Sequence, residues 1–417
     1  MATVEIVYPV CCGIDVHKNF LVACIATTDE HSRTTHLIRR FSTYTGDMRI
    51  LADWLASHHC KDVCMESTGK YWIPVFNTLE KTCNVCLTHP KYVKAIKGKK
   101  TDKKDAKWIS ELFKCDLVRS SFIPPADIRQ LRDLCRYYVK LTYINTSEKN
   151  RGQNCLTMCN FKLDDVFSDV FGQSATRVLD KLLECQSSDF DIAPLLDRRC
   201  KSSVEEVRAA LDGTIEPSQA EKLILIRRHM ETIDKLKDSL EKLILTIAAP
   251  YQAQINLLMT VPGISAPLTA IRILAEIGAD MSVFETAKHL CSWAGVTPQN
   301  NESAGKKKTT RIARAGAYLK PLLVQIVLAA CVSDKYPELK DKFLALKKRR
   351  GQKKAVIAIA RKLLTAIWHI LYKNEPYNAE LYLRADKPPA NRVLTPEQAF
   401  ALLRSKGYQI LEPDSAA

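Results

Sequence analysis

The sequence is short of several things. Glycine and proline supply only 14 and 18 of 417 residues, too few for a collagen-like repeat or long low-complexity linkers. No apolar run approaches the ~20 residues that cross ~30 Å of hydrocarbon; the longest, PLLVQIVLAACV, runs from Pro321 to Val332. The opening residues, MATVEIVYPV, lack the basic start and apolar stretch of a secretory signal. No membrane partner and a cytoplasmic location are therefore expected. Acidic residues are in deficit too, 46 Asp and Glu against 62 Lys and Arg, a net charge of +16. What is present is ordinary for a globular protein, 46% hydrophobic and 26% charged residues, which excludes a wholly disordered chain. The length fits two to four domains.

The 15 cysteines are odd in number and scattered, as in a reducing compartment where disulfides do not persist. Cys60-x3-Cys64 with Cys83-x2-Cys86 has the look of a zinc set. Cys64, Cys83 and Cys86 fall in strand-like runs, DVCME and CNVCLTH, where cysteine serves as a small buried hydrophobe, and this second reading is preferred. Cys11-Cys12 and Cys155/Cys159 are read the same way.

The excess positive charge is clustered at Lys94–Lys107 (KAIKGKKTDKKDAK), Lys306–Arg314 (KKKTTRIAR) and Lys347–Lys354 (KKRRGQKK). One such run is ordinarily a solvated face; three in one chain favour a polyanionic partner, nucleic acid. Lys94, Lys97, Lys99, Lys100, Lys103, Lys104, Lys306, Lys307, Lys308, Arg311, Arg314, Lys347, Lys348, Arg349 and Arg350 are the candidate contacts.

Along the chain, residues 1–125 read as α/β. Strands at Ile6–Val16 and Phe20–Thr27 flank an HKN turn, His36–Phe41 gives a third strand, and shorter strands at Asp62–Glu66 and Cys83–Thr88 alternate with helices. A helix opens at Thr101-Asp102. This pattern predicts a mixed sheet covered by helices. Residues 126–250 turn helical, with a long amphipathic helix at Pro217–Ala249 whose apolar residues keep a heptad-like spacing. A helical hairpin and an intermolecular coiled coil are both compatible with it. Residues 160–216 hold no interpretable motif. Residues 251–385 form a third, mostly helical region, and 386–417 a tail.

Three constellations carry chemistry. Asp15 lies late in a buried strand, where a lone carboxylate is costly unless bound or paired. Glu66 ends a second strand, and Asp102 and Asp105 sit three apart at a helix start, so both project from nearly one face. If these four converge, their repulsion demands cations, and all-oxygen ligation suits Mg²⁺ or Mn²⁺. Each acid taken alone is unremarkable in its setting. The second is Val261-Pro262-Gly263-Ile264-Ser265 before an amphipathic helix, a helix-hairpin-helix-like turn whose amides and helix start, at Gly263, suit a phosphate. A plain connection between core helices fits equally. The third is the polar, loop-like Gln299–Gly305 with Ser303 ahead of three lysines. A serine hydroxyl attacks phosphate only with help from a base and nearby cations. Thr309 and Thr310 are equally visible hydroxyls, and the residues alone do not choose among them.

Taken in order, GIDVHK, MESTGKYW, HPKYVKAIKGKKTDKKDAKWISELF and VPGIS…LCSWAGVTPQNNESAGKKKTTRIARAGAYLK resemble the DEDD transposases of the insertion-sequence one-ten family over roughly 5–125 and 255–375. The resemblance implies a RuvC-like, RNase H-fold N-terminal domain, a mostly α coiled-coil segment and a C-terminal transposase domain. It implies that Asp15, Glu66, Asp102 and Asp105 are the catalytic, metal-binding acids and that Ser303 in NESAG is the nucleophile. It also implies recombination of donor and target DNA guided by a structured non-coding bridge RNA, carried out by dimers that assemble to tetramers. Rival readings are a RuvC-like metal-dependent nuclease or junction resolvase with no covalent step, a non-catalytic nucleic-acid-binding protein, and a decayed element.

Overall fold

The computed structural model describes residues 5–67, 69–91, 93, 101–298, 301–303, 306–309, 311–380, 396–405 and 407. They divide into two compact units, 1–125 and 126–417.

The first unit is built on a five-stranded sheet of order β3-β2-β1-β4-β5. Strands β1 (Val10–Val16), β2 (Phe20–Thr28) and β3 (Thr34–Ser42) form an antiparallel meander, while β4 (Asp62–Glu66) and β5 (Asn84–Thr88) run parallel to β1. Alternation along the central strands sorts side chains to two faces. Cys12, Ile14, Val16, Leu21, Ala23, Ile25, Val63 and Met65 pack under α1 (Thr45–Ser57) and α2 (Trp72–Leu79). Cys11, Cys64, Val22, Cys24 and Ala26 pack under α3 (Asp102–Lys114) with Ala106, Ile109 and Phe113. This mixed sheet with helices on both faces fits a RuvC-like fold. Its strands begin and end within a few residues of the sequence expectation, because the period of the apolar residues is unambiguous there.

The same alternation disposes of a zinc set. Cys60 packs on the α1/α2 face with Cys83 beside it, whereas Cys64 packs on the α3 face with Cys86 beside it. Among the described residues no cysteine belongs to a cluster of metal-ligating atoms, and burial pushes the Cys60 thiol up to about 12.

Helix α3 starts cleanly because the Thr101 side chain accepts a hydrogen bond from the Lys104 amide, satisfying one of the four unpaired amides at a helix start. Its other end is tied down by Lys114, whose carbonyl accepts from the Val7 and Tyr8 amides at 2.9 and 3.0 Å. The Lys114 ammonium donates to Thr34 Oγ1 and Glu111 Oε2 at 2.9 and 2.8 Å.

The second unit is helical. Helix α4 (Ala126–Met158) leads into α5 (Leu163–Val166), α6 (Gln173–Cys185) and α7 (Val204–Ala210), then into α8 (Pro217–Ala248). Helices α4 and α8 lie antiparallel: Cys155 meets Gln219, Glu148 meets His229, Asn145 meets Asp234 and Tyr138 meets Lys237. The stretch 160–216, uninterpretable in sequence, closes one end of this hairpin as a small core of Phe161, Leu163, Val178, Leu179, Leu182, Val207 and Leu211. Helices α5 and α7 are too short for a period to show, whereas α6 buries Ala175, Val178, Leu179 and Leu182 at helical spacing, a signal the sequence reading passes over.

Beyond it follow α9 (Gln252–Met259), α10 (Pro267–Ile277), α11 (Ala287–Trp293), a hairpin of β6 (Asn301–Ser303) and β7 (Lys306–Thr309), α12 (Leu319–Val332), α13 (Pro337–Arg350), α14 (Gln352–Lys373) and α15 (Pro396–Ser405). Arg136 holds Glu276 of α10 with two hydrogen bonds of 2.8 Å, and Arg132 donates to the Ala275 and Glu276 carbonyls at 2.8 Å, so α10 is bound to α4. Helix α14 is long and apolar enough to cross a membrane, but half of its apolar window is packed inside the unit, as in a core helix.

Candidate metal centre and active site

The site begins with the pairing of β1 and β4. Gly13 stands opposite Cys64, so Asp15 and Glu66, two residues further along each strand, project from the carboxyl ends of neighbouring parallel strands onto the α3 face. Helix α3 runs antiparallel to β1 across that face and delivers its first turn, with Asp102 and Asp105, to the same end. A helix N-terminus favours carboxylates through its dipole.

Asp15 is 8% exposed. Burial raises its pKa, the neighbouring His17 pulls it down, and the charges of Asp105, Glu66 and Asp102 push it up again. Of the four predicted acids, Asp15 and Asp102 share one cluster of ligand atoms, while Glu66 and Asp105 bear on Asp15 through their charge. His17 stands among them, its Nε2 3.2 Å from Asp15 Oδ2 and 3.3 Å from Asp102 Oδ1. These distances suit an ion pair, yet that nitrogen is shut off from solvent without a well-aligned hydrogen bond. A buried polar atom without an aligned partner is costly. One ligand atom from each of Asp15, His17 and Asp102 lies within 4.8 Å of the others. A buried nitrogen and two carboxylate oxygens, with two further acids alongside, form a donor set that fits a divalent cation.

The sequence reading gives His17 no role. Its signal was there: it follows Asp15 by two residues, the strand period that places both on one face. Its ring is held by Phe20, with centroids 4.6 Å apart, and the Arg40 guanidinium lies 3.8 Å over the other residue of that stack, Phe20.

The remaining predicted residues lie elsewhere. Lys94, Lys97, Lys99 and Lys100 fall outside the described residues. Lys103 and Lys104 are exposed on the first turn of α3. In the second unit, Ser303 ends β6 and its backbone pairs with Lys306 of β7, the strand that also carries Lys307 and Lys308. The sequence expectation of a loop there is corrected to a hairpin. Its residues, NES and KKKT, have no apolar alternation to reveal a strand. The hairpin is rooted by a bridge between Pro298 and Ile312 and by Gly316, at φ +64, whose Cβ position would lie 2.4 Å from the Ala294 carbonyl oxygen. Arg311 and Arg314 are exposed after it, and Lys347, Lys348, Arg349 and Arg350 are exposed on the last turn of α13.

Gly263 has φ +85, and a Cβ there would lie 2.4 Å from the Ile326 carbonyl oxygen of α12. Packing of the α9–α10 turn against α12 accounts for that glycine.

Comparison with known proteins bears on both units. Residues 12–161 match a family model for the IS110-type DEDD domain, described as a transposase, and residues 255–343 match one described as transposase of the IS116/IS110/IS902 family. Among curated relatives, a pilin gene-inverting protein of Moraxella lacunata is 32% identical over 38% of this chain and 48% of its own length. A transposase for insertion sequence element IS1111A of Coxiella burnetii is 30% identical over 28% of this chain and 33% of its own. The chain thus spans less than half the length of these relatives. Among solved structures, a Fowlpox virus resolvase in complex with substrate Holliday junction DNA shares 17% identity at a TM-score of 0.18, over 25% of this chain and 72% of that one.

Proposed function

This chain belongs to the IS110 family of DEDD transposases, and from that premise we propose that it cuts and rejoins DNA strands as the recombinase of an insertion sequence. The observation that carries the reading is the meeting of Asp15, Asp102 and His17 around one point, with the charges of Glu66 and Asp105 bearing on Asp15.

In this reading Asp15, Glu66, Asp102 and Asp105 hold divalent cations, Mg²⁺ or Mn²⁺. Cations held there would supply Lewis-acid polarisation of a scissile phosphate and charge stabilisation at its leaving oxygen. The Ser303 hydroxyl is the nucleophile: its oxygen bonds to phosphorus, the bond from phosphorus to the leaving strand breaks, and the leaving oxygen takes up a proton. The DNA end is then a phosphoserine diester. Because one ester replaces another and no water is consumed, reversal of the step rejoins strands without ATP. The lysines of β7 and the arginines that follow supply positive charge beside the serine.

Guidance by a structured bridge RNA, and assembly to dimers and tetramers, belong to the same proposal. The net charge of +16 supports a second polyanion besides DNA. The exposed Leu225, Leu236 and Leu243 of α8, with Tyr137 and Ile144 of α4, support association of the long hairpin with another copy.

The test is a DNA suicide substrate with the full chain and Mg²⁺. Wild-type protein is expected to form a covalent protein–DNA adduct, and Ser303→Ala to form none while binding DNA as before. Adducts that persist in Ser303→Ala assign the nucleophile to another hydroxyl, and cleavage that depends on Asp15 but gives no adduct in the wild type points to a resolvase-like nuclease.

A further inference from the structure

We infer that His17 is itself a ligand of the catalytic cation, so that the centre is a mixed nitrogen–oxygen site rather than an all-carboxylate one. The inference rests on the proposed metal centre and adds a residue that the four-acid reading does not contain.

Three observations carry it. The first is distance. Adjacent ligands of an octahedral ion with bonds of about 2.1 Å are about 3 Å apart. His17 Nε2 stands 3.2 Å from Asp15 Oδ2 and 3.3 Å from Asp102 Oδ1, close to the edge lengths of such a coordination shell. The second is the state of the nitrogen. Nε2 is enclosed, and neither carboxylate approach is aligned as a hydrogen bond. An imidazole kept only as a bridge between two carboxylates would settle into one aligned hydrogen bond, since a buried donor left unaligned is costly. A cation among the three atoms removes that cost. The third is preorganisation. The His17 amide donates to the Phe20 carbonyl at 2.9 Å, closing the tight β1–β2 turn, and the imidazole leans on the Phe20 ring at 4.6 Å. Phe20 is held in turn under the Arg40 guanidinium. Backbone and ring are both fixed before any ion arrives, as a built ligand requires.

A chemical consequence follows. Imidazole nitrogen binds first-row transition ions more readily than it binds Mg²⁺, which prefers carboxylate and water. A His17 ligand therefore shifts the centre's preference toward Mn²⁺ relative to Mg²⁺.

The test uses the full chain loaded with Mn²⁺ and pulsed EPR, which detects a ¹⁴N nucleus bonded to the ion. Wild-type protein is expected to bind Mn²⁺ with an imidazole nitrogen coupling. His17→Gln and His17→Ala are expected to bind Mn²⁺ about tenfold or more weakly, without that coupling, and to lose less affinity for Mg²⁺. Asp15→Asn serves as the control for the site. Wild-type Mn²⁺ binding that depends on Asp15 but shows no nitrogen coupling overturns the inference and leaves the metal centre standing, with His17 an ion-pair partner of the acids. Mn²⁺ binding that is absent, or indifferent to Asp15, overturns the metal centre and the inference with it. The wild-type spectrum decides the question even where a variant folds poorly.

Discussion

A Cβ atom on Gly13 would lie 2.4 Å from the carbonyl oxygen of Ala106 and 2.4 Å from the amide nitrogen of Ser110. Both are backbone atoms of α3, so the contact cannot be relieved by turning a side chain. Gly13 thereby sets how closely α3 lies on β1, and that spacing decides whether Asp102 and Asp105 reach Asp15.

Gly13→Ala is accordingly expected to push α3 off the sheet. Overpacking of this kind costs about 1–3 kcal/mol, and small displacements of ligands are enough to spoil a metal site. Calorimetry should show a lower Tm for the variant, and titration should show loss of divalent-cation binding. Unchanged cation affinity would show that the spacing does not govern the site.

Asp15 is a buried carboxyl whose ionisation opposes folding. Burial raises its folded pKa above the ordinary 3.8, so its contribution to stability is fully present below the unfolded value and is lost as pH rises through the folded one. Near neutral pH, without metal, Asp15→Asn should therefore unfold at a higher temperature than wild type, and the gap should close below about pH 4. Saturation at a hundred times Kd should stabilise wild type by about 2.7 kcal/mol and the variant by almost nothing. A variant less stable at neutral pH, or still stabilised by metal, would refute this.

Glu111 anchors the other end of α3. Burial alone would raise its pKa, but hydrogen bonds from Lys114 and His36 hold it below the ordinary carboxylate range. Its contribution is present above the unfolded value of 4.5 and is lost as pH falls through the folded one. Glu111→Ala leaves Lys114, 8% exposed, without its anion, and should cost about 2–3 kcal/mol in urea unfolding. A loss under about 0.5 kcal/mol, typical of surface changes, would contradict the role.

The basic runs predict salt dependence. Each phosphate neutralised on duplex DNA contributes about −0.9 to the slope of log K against log salt. Replacing Lys347, Lys348, Arg349 and Arg350 by alanine should flatten the slope of nucleic-acid binding by about 2–4. An unchanged slope would assign these residues to a solvated helix end, where their charge suits the dipole of α13.

The first unit was largely legible in the sequence. Its strands alternate or run fully apolar, Thr101 marks the start of α3, and Asp15 is conspicuous in a strand otherwise spent on burial. The pairing of Asp15 with Glu66 was not readable, because it depends on the register of β1 against β4. His17 went unassigned for the same reason: the two-residue step was visible, but the approach of Asp102 from α3 was not. In the second unit, the long periodic α8 showed plainly, while 160–216 did not: α5 and α7 are only four and seven residues long, and the apolar face of α6 stands isolated between irregular stretches. The β6–β7 hairpin escaped because neither strand has an apolar face. The glycine of VPGIS was visible, but the backbone of α12 that requires it is remote in sequence.

A divalent cation held at the carboxyl ends of β1 and β4 is central to the proposed chemistry. Crystals of the full chain soaked in Mn²⁺ and measured at the manganese absorption edge test it most directly. The prediction is an anomalous peak within about 2.0–2.6 Å of carboxylate oxygens of both Asp15 and Asp102, and no such peak in Asp15→Asn crystals. Peaks elsewhere on the molecule with none between those two side chains would contradict it.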